Sequence, residues 1–230
     1  MNSINIFNQD CMQMLKDLPK NSIDLVVTDP PYIVKTEGGG AGAFGYQNRK
    51  WHQEIEFMTN GFSNNVLDEL CQVMKKINIY IFCSQYQLTQ LINYFENKKC
   101  NWNLISWHKD NPVPSCNNKY LSDTEYIFFA REKGVKLGGT YYTKRKYYVT
   151  HINTKEKHQY KHPTVKPVSI IDNLIINSSK EQDVILDPFM GSGSTGESAL
   201  KLDRKFIGIE IKPEYYQIAC SRLKKFDRQI

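Results

Sequence analysis

Long hydrophobic runs are missing from this sequence. No apolar stretch approaches the roughly 20 residues that a membrane-spanning helix needs. Asn2, Asn5, Asn8 and Asp10 interrupt the first apolar positions before they can form a secretory leader. A cytoplasmic protein that does not enter a membrane is expected. Paired cysteine spacing is missing too. The six cysteines (Cys11, Cys71, Cys83, Cys100, Cys116, Cys220) contain no C-x-x-C, which fits reduced core thiols better than a disulfide framework or a zinc site. His151, His158 and His162 lie near one another, but no cysteine or carboxylate cluster accompanies them, so no metal is expected. Internal repeats and low-complexity tracts are absent.

What is present is an ordinary globular composition. The chain is 40% hydrophobic and 23% charged, with 14 Tyr and 11 Phe in 230 residues. That suffices for one large α/β domain and is too little for two domains with linkers. Its charge is unevenly placed. Residues 131–161 hold nine basic side chains (Arg131, Lys133, Lys136, Lys144, Arg145, Lys146, Lys155, Lys157, Lys161) against Glu132 and Glu156, a balance of +7, so the rest of a chain of net charge +6 sums to −1. A basic segment on a nearly neutral body outlines a polyanion-binding surface, although a solvated loop rich in lysine has the same composition.

Along the chain, short apolar strands alternate with amphipathic helices. Strands are expected at Ile4–Phe7, Ile23–Thr28, Ile79–Cys83, Asn103–His108, Glu125–Arg131, Val184–Leu186 and Phe206–Ile209. Helices are expected from about Cys11 to Leu18 behind the capping Asp10, Asn64 to Lys76, around Leu88–Phe95, Val168 to Ile176, through Leu202, and from Pro213 onward. The pattern predicts a mostly parallel sheet covered on both faces, with ligands at the carboxyl ends of its strands. Asp10, Asp29, Asp187 and Glu210 fall at or just beyond such ends. Residues 36–50 carry five of the 13 glycines together with Arg49 and Lys50 and read as a loop. From Glu132 to about Tyr160 the periodicity breaks down.

Two motifs carry chemistry. Gly191, Gly193 and Gly196 form G-x-G-x-x-G at a strand-to-helix turn, with Glu210 ending the next strand. Glycines there admit a ligand close to the backbone, and an acid in that place accepts hydrogen bonds from ribose hydroxyls. By itself this also describes nicotinamide and flavin enzymes, or a turn that only packs helix on strand. The second motif is Asp29-Pro30-Pro31-Tyr32. An aromatic amine is a poor nucleophile because its lone pair is delocalised into the ring. Two acceptors, the Asp29 carboxylate and the Pro30 carbonyl, could draw its hydrogens out of the ring plane while Tyr32 offers a stacking face. A strand ended by prolines and a capping acid is the plain structural alternative.

Taken together, Asp29-Pro30-Pro31-Tyr32, His162-Pro163-Thr164-Val165-Lys166-Pro167 and Asp187-Pro188-Phe189-Met190-Gly191-Ser192-Gly193-Ser194-Thr195 resemble the amino-group DNA methyltransferases of the β class, over nearly the whole chain and in that class's motif order. The resemblance implies a Rossmann-like α/β fold: a seven-stranded, mostly parallel sheet with one antiparallel strand and helices on both faces, in which the strands ending at Asp29 and Asp187 lie side by side. It implies one domain over residues 1–230, with a catalytic half (1–131), an inserted target-recognition segment (132–160) and a cofactor half (161–230). The cofactor would be S-adenosylmethionine. Asp187, Pro188, Phe189, Gly191, Gly193 and Thr195 would surround its methionine part, Glu210 its ribose, and Asp10 with Cys11 its adenine, while Lys166 would meet the methionine carboxylate.

The implied activity is methyl transfer to N6 of adenine in double-stranded DNA, with the target base flipped out by the enzyme. Asp29, Pro30, Pro31 and Tyr32 would be catalytic, and Asp29 would also border the cofactor. Lys144, Arg145 and Lys146, set between Tyr141-Tyr142 and Tyr147-Tyr148, would bind DNA, with Arg49 and Lys50 as a second candidate path. So short a recognition segment suggests a brief target or help from a second subunit, and the class suggests a companion restriction endonuclease. Transfer to N4 of cytosine is the nearest alternative, although cytosine-specific members more often carry Ser at the position of Asp29. A nicotinamide-dependent oxidoreductase leaves Asp29-Pro30-Pro31-Tyr32 and the basic segment unexplained, and a glutamine- or RNA-directed enzyme more often begins its motif with Asn. A non-catalytic DNA-binding protein would have no use for the cofactor motif.

Overall fold

The computed structural model describes residues 3–33, 61–112, 120–152, 159–160 and 165–226. Eight strands form one sheet: β1 (Ile4–Phe7), β2 (Leu25–Thr28), β3 (Asn78–Cys83), β4 (Asn101–Lys109), β5 (Thr124–Arg131), β6 (Tyr147–Thr150), β7 (Val184–Asp187) and β8 (Lys205–Ile209). Their order is β1-β8-β7-β2-β3-β5-β4-β6. Among the described residues six α-helices accompany them: α1 (Cys11–Asp17), α2 (Asn64–Val73), α3 (Leu88–Asn97), α4 (Val168–Ser178), α5 (Ser194–Lys201) and α6 (Pro213–Leu223).

Strand alternation divides the interior into two cores. Ile79, Ile81 and Cys83 of β3 join Val26, Phe128, Ala130 and the apolar faces of α1, α2 and α3 on one side of the sheet. Tyr80 and Phe82 join Leu25, Val27, Ile127, Phe129 and residues of α4, α5 and α6 on the other. A strand buried on both faces needs an unbroken apolar run, as Leu25–Val27 supplies. Each large side chain removed from water in this way contributes roughly 1.5–3 kcal/mol before ordering costs.

The fold class is as the sequence implied, with one strand more. β6 is the eighth; it pairs in parallel with β4, Tyr147 opposite Ser106 and Thr150 opposite Lys109. It lies inside the stretch expected to be irregular, and it was missed because an edge strand of four residues, half of them exposed, shows too little apolar alternation to register. β5 is the antiparallel strand, running against both β3 and β4. Its amino end therefore lies at the same edge of the sheet as the carboxyl ends of β2, β3, β7 and β8. Among the described residues no helix is long and apolar enough to cross a membrane.

Candidate active site

β2 and β7 are paired, Val26 opposite Leu186, which sets the two sequence motifs side by side at one edge of the sheet. Thr28 joins them directly, its hydroxyl donating to Asp187 Oδ1 at 2.8 Å, where the Phe189 amide also donates at 3.1 Å. Asp187 is only 3% exposed. Burial pushes its carboxyl up to about 7, the bonds from Thr195, Thr28 and Phe189 only partly opposing.

Beyond β7 the chain turns through Gly191 (φ 50°) and Gly193 (φ 81°), left-handed conformations that glycine adopts without strain. Gly193 precedes the first residue of α5, and a Cβ there would come within 3.2 Å of Ala219 Cβ. Gly196 serves packing, since a Cβ on it would meet Phe206 Cε1 at 2.7 Å and Leu223 Cδ1 at 2.8 Å. Glu210, 8% exposed, clasps the turn by accepting from the Gly191 amide at 2.9 Å and the Lys212 amide at 2.8 Å. Its carboxyl is raised by burial against those two amides. Asp10 caps α1, its Oδ1 accepting from the Met12 and Gln13 amides at 2.9 and 3.1 Å. The Cys11 thiol beside it is pushed up to about 11, by burial first and then by the Asp10 charge. Asp10 and Glu210 are brought near one another because β1 lies against β8.

Asp29 follows β2, and the turn after it is fastened from below. Gln87, fully buried, donates to the Pro31 carbonyl at 3.1 Å, and Ser84 donates to the Ile33 carbonyl at 2.9 Å. Asp29 Oδ2 lies 2.7 Å from Lys166 Nζ. Its other oxygen, Oδ1, is shut off from solvent and accepts no hydrogen bond. Burial raises the Asp29 carboxyl and Glu125 adds to the rise, while Lys166 opposes it.

Lys166 has partners other than the one its motif suggested. Only 6% exposed, it pairs with Asp29 and also with Glu125 Oε2 at 3.3 Å, and its ammonium lies 5.1 and 5.4 Å from the ring centres of Tyr32 and Phe82. Burial alone would favour the neutral amine, but the two carboxylates outweigh it and raise the Lys166 pKa. The Tyr32 hydroxyl donates to Glu125 Oε2 at 3.0 Å; burial and the charges of Asp29 and Glu125 hold its pKa well above the ordinary value. Lys109 closes the chain at 2.6 Å from Glu125 Oε1. Burial would raise Glu125, but Lys166 and Lys109 prevail and hold it at about 2.

Glu125 and Lys109 are the site residues that sequence reasoning missed. Neither belongs to a motif: Glu125 comes to this end of the sheet because β5 runs against its neighbours, and Lys109 because it ends β4 beside it.

The basic cluster lies elsewhere. Arg145 is set among three exposed tyrosines, 5.9, 5.4 and 5.9 Å from the ring centres of Tyr141, Tyr142 and Tyr147. Lys144 and Lys146 flank it in front of β6, at the far edge of the sheet. Four strand spacings separate β6 from β2, about 19 Å at ~4.8 Å each. Residues 132–143 turn back at the opposite end of the sheet from Asp29, where the Gly138 amide donates to the Asn177 carbonyl and Thr143 donates to Asn177 Oδ1, both at 2.7 Å. His151 pairs with Asp110 at 2.5 Å. Arg49, Lys50, His158 and the His162–Thr164 part of the lysine motif lie outside the described residues.

A family model described as DNA methylase, of the N6/N4 type, matches residues 23–221. The type II methyltransferase M2.LlaDCHI of Lactococcus lactis subsp. cremoris is 32% identical over 240 residues, covering 96% of this chain and 89% of that protein. Among solved structures, an M1.HpyAVI complex with SAM superposes with a TM-score of 0.72 at 26% identity, covering 96% of this chain and all of the other. The PvuII cytosine-N4-specific DNA methyltransferase also reaches 0.72, at 17% identity over 99% of this chain and 88% of the other, and shares the fold. The chain belongs to the N6/N4 DNA methylase family.

Proposed function

We propose that this DNA methyltransferase moves the methyl group of S-adenosylmethionine to N6 of adenine in double-stranded DNA, and that Asp29 prepares the amine. The observation that carries the reading is Asp29 Oδ1, a carboxylate oxygen closed to water and without a donor, one strand away from the left-handed turn of Gly191 and Gly193. Leaving such an oxygen unpaired is costly in the free protein. A substrate N–H removes that cost.

When bound, S-adenosylmethionine supplies an electrophilic methyl carbon on a sulfonium. Asp29 accepts one hydrogen of the amino group, Pro30 offers its carbonyl to the other, and the lone pair is released from the ring for attack. The Asp29 carboxylate would stabilise the positive charge that develops on the amine nitrogen as it takes the methyl group, before a proton leaves to solvent. Tyr32, oriented by Glu125, gives the base a stacking face. Asp187, Pro188, Phe189, Gly191, Gly193 and Thr195 would enclose the methionine part, Glu210 the ribose, and Asp10 with Cys11 the adenine. We assign Lys166 to the catalytic carboxylates that it touches. Asp29 ends a strand and cannot reach an amine inside a stacked duplex, so the target base leaves the helix.

Adenine is favoured over cytosine by Asp at the head of the motif. Incubation with DNA and labelled donor, followed by nucleoside mass spectrometry, should give N6-methyladenine. N4-methylcytosine would establish the second reading. Asp29→Ala should abolish transfer and leave cofactor affinity within a few-fold, whereas Tyr32→Ala should stay partly active. Turnover near the wild-type rate in Asp29→Ala would remove the mechanism. A fluorescent adenine analogue at the target should brighten on binding, and an unchanged signal at saturating enzyme would argue against flipping.

A further inference from the structure

We propose that Glu125 is a positioning residue that divides the charge of Lys166 between two carboxylates and so keeps Asp29 Oδ1 open for the substrate amine. The inference rests on the proposed role of Asp29 and concerns how that role is protected. A buried ammonium 2.7 Å from a half-buried carboxylate is a strong competitor for its lone pairs. With Asp29 as its only counter-ion, Lys166 would be free to bridge both oxygens. Glu125 prevents this from β5, the antiparallel strand on the far side of β3. Its Oε2 lies 3.3 Å from the same ammonium and accepts from the Tyr32 hydroxyl at 3.0 Å, so one oxygen fixes both the lysine and the aromatic ring.

Lys109 completes the arrangement, since a lone Glu125 carrying a full charge would draw Lys166 away from Asp29. At 2.6 Å from Oε1, it offsets part of that charge from the rim, where each partner's side chain is 19% exposed. The alternating row Asp29, Lys166, Glu125, Lys109 is neutral overall. Besides Lys166 and Glu125, the groups among the described residues that act on Asp29 or feel its charge are Tyr32, Cys83 and Asp187. None of these is altered in the variants below.

Charge division makes opposite predictions for its two outer members. Glu125→Gln removes a negative charge and leaves Lys166 wholly to Asp29, so Asp29 should titrate lower, by about one pH unit. Lys109→Gln removes a positive charge from the row, and Asp29 should titrate higher. A residue that merely supports the fold would move neither value, or would move both the same way. The titration is followed by carbon NMR of Asp29 in the intact protein without cofactor. It is then followed by the acid limb of kcat/KM for DNA at saturating S-adenosylmethionine, which removes Asp187 from the profile.

The expected result is a downward shift in Glu125→Gln, with kcat reduced at least about 10-fold and cofactor affinity within twofold, and an upward shift in Lys109→Gln. Unmoved or like-signed shifts overturn the inference. If Glu125→Gln does not fold, Lys109→Gln decides alone, an upward shift supporting the proposal and an unmoved one ending it. Asp29→Ala separates the two levels. Activity in that variant removes the proposed mechanism, whereas an inactive Asp29→Ala beside unmoved titrations removes only the role of Glu125.

Discussion

At Asp187 the carboxyl keeps hydrogen bonds from Thr28 and Phe189 but has lost nearly all of its water, and the loss prevails. Its pKa rises from the ordinary 3.8 to about 7. Between those two values the folded protein holds a proton that the unfolded chain has released. Stability therefore falls as pH rises through that window, and the cost is fully present above about 7. Asp187→Asn should relieve it: the variant should melt above the wild type at pH 8 and lose that advantage by pH 4, the difference changing by about 1.4 kcal/mol per pH unit inside the window. The same group should make S-adenosylmethionine bind more tightly as pH passes upward through about 7, because only the ionised form attracts the methionine ammonium. Calorimetry at pH 6 and pH 8 on both proteins checks this. A wild-type affinity that does not change with pH would place the ammonium elsewhere.

Among the elements, α5 shows how one motif holds two kinds of glycine. Gly193 has φ 81° at the turn, and a Cβ there would meet Ala219 of α6, so Gly193→Val should strain the left-handed backbone, displace the turn and abolish S-adenosylmethionine binding. Gly196 faces Phe206 and Leu223 instead, and Gly196→Ala should cost stability by overpacking, roughly 1–3 kcal/mol, with cofactor affinity kept in the fraction that folds. Thermal melts beside calorimetry separate the two, and equal losses of binding at unchanged stability would overturn the division.

Such elements also mark what the sequence let one read. β2, β3, β7 and β8 were legible because a short apolar run that stops at a polar residue is what a parallel strand buried on both faces requires, and Asp29, Asp187 and Glu210 followed from those ends. Two things were not legible. β6 is a four-residue edge strand, half of it exposed and paired through its backbone, too short for its alternation to register. Glu125 sits at the start of an ordinary-looking strand, and it joins the site only because β5 runs against its neighbours, a matter of long-range topology on which local sequence is silent. Lys166 was legible as a motif residue, but the partners it would take were not.

On the scale of the whole molecule, the catalytic edge and the basic cluster stand about four strands apart, ~19 Å, close to the width of a duplex. DNA presented to Asp29 can therefore run across the sheet edge and still touch β6. Residues 132–143 are fastened to Asn177 at the other end of the sheet, which narrows the DNA-facing part of the proposed recognition segment to Lys144 and beyond. Here two kinds of binding should separate. Phosphate binding is indifferent to sequence, so replacing Lys144 and Lys146 with Ala should weaken all duplexes alike and flatten the dependence of log affinity on log salt by roughly 0.9 for each phosphate no longer neutralised. Arg145 is held differently, its guanidinium braced by Tyr141, Tyr142 and Tyr147. Bracing lowers the entropy cost when a planar fork meets a guanine edge. Arg145→Ala should therefore relax preference at one position of the target, at about 1–3 kcal/mol, and change the salt slope by no more than the value for a single phosphate. Filter binding of target and scrambled duplexes across a salt series measures both. A wild-type slope in the double lysine variant would move the DNA path off β6 and leave Arg49 and Lys50 as its candidates.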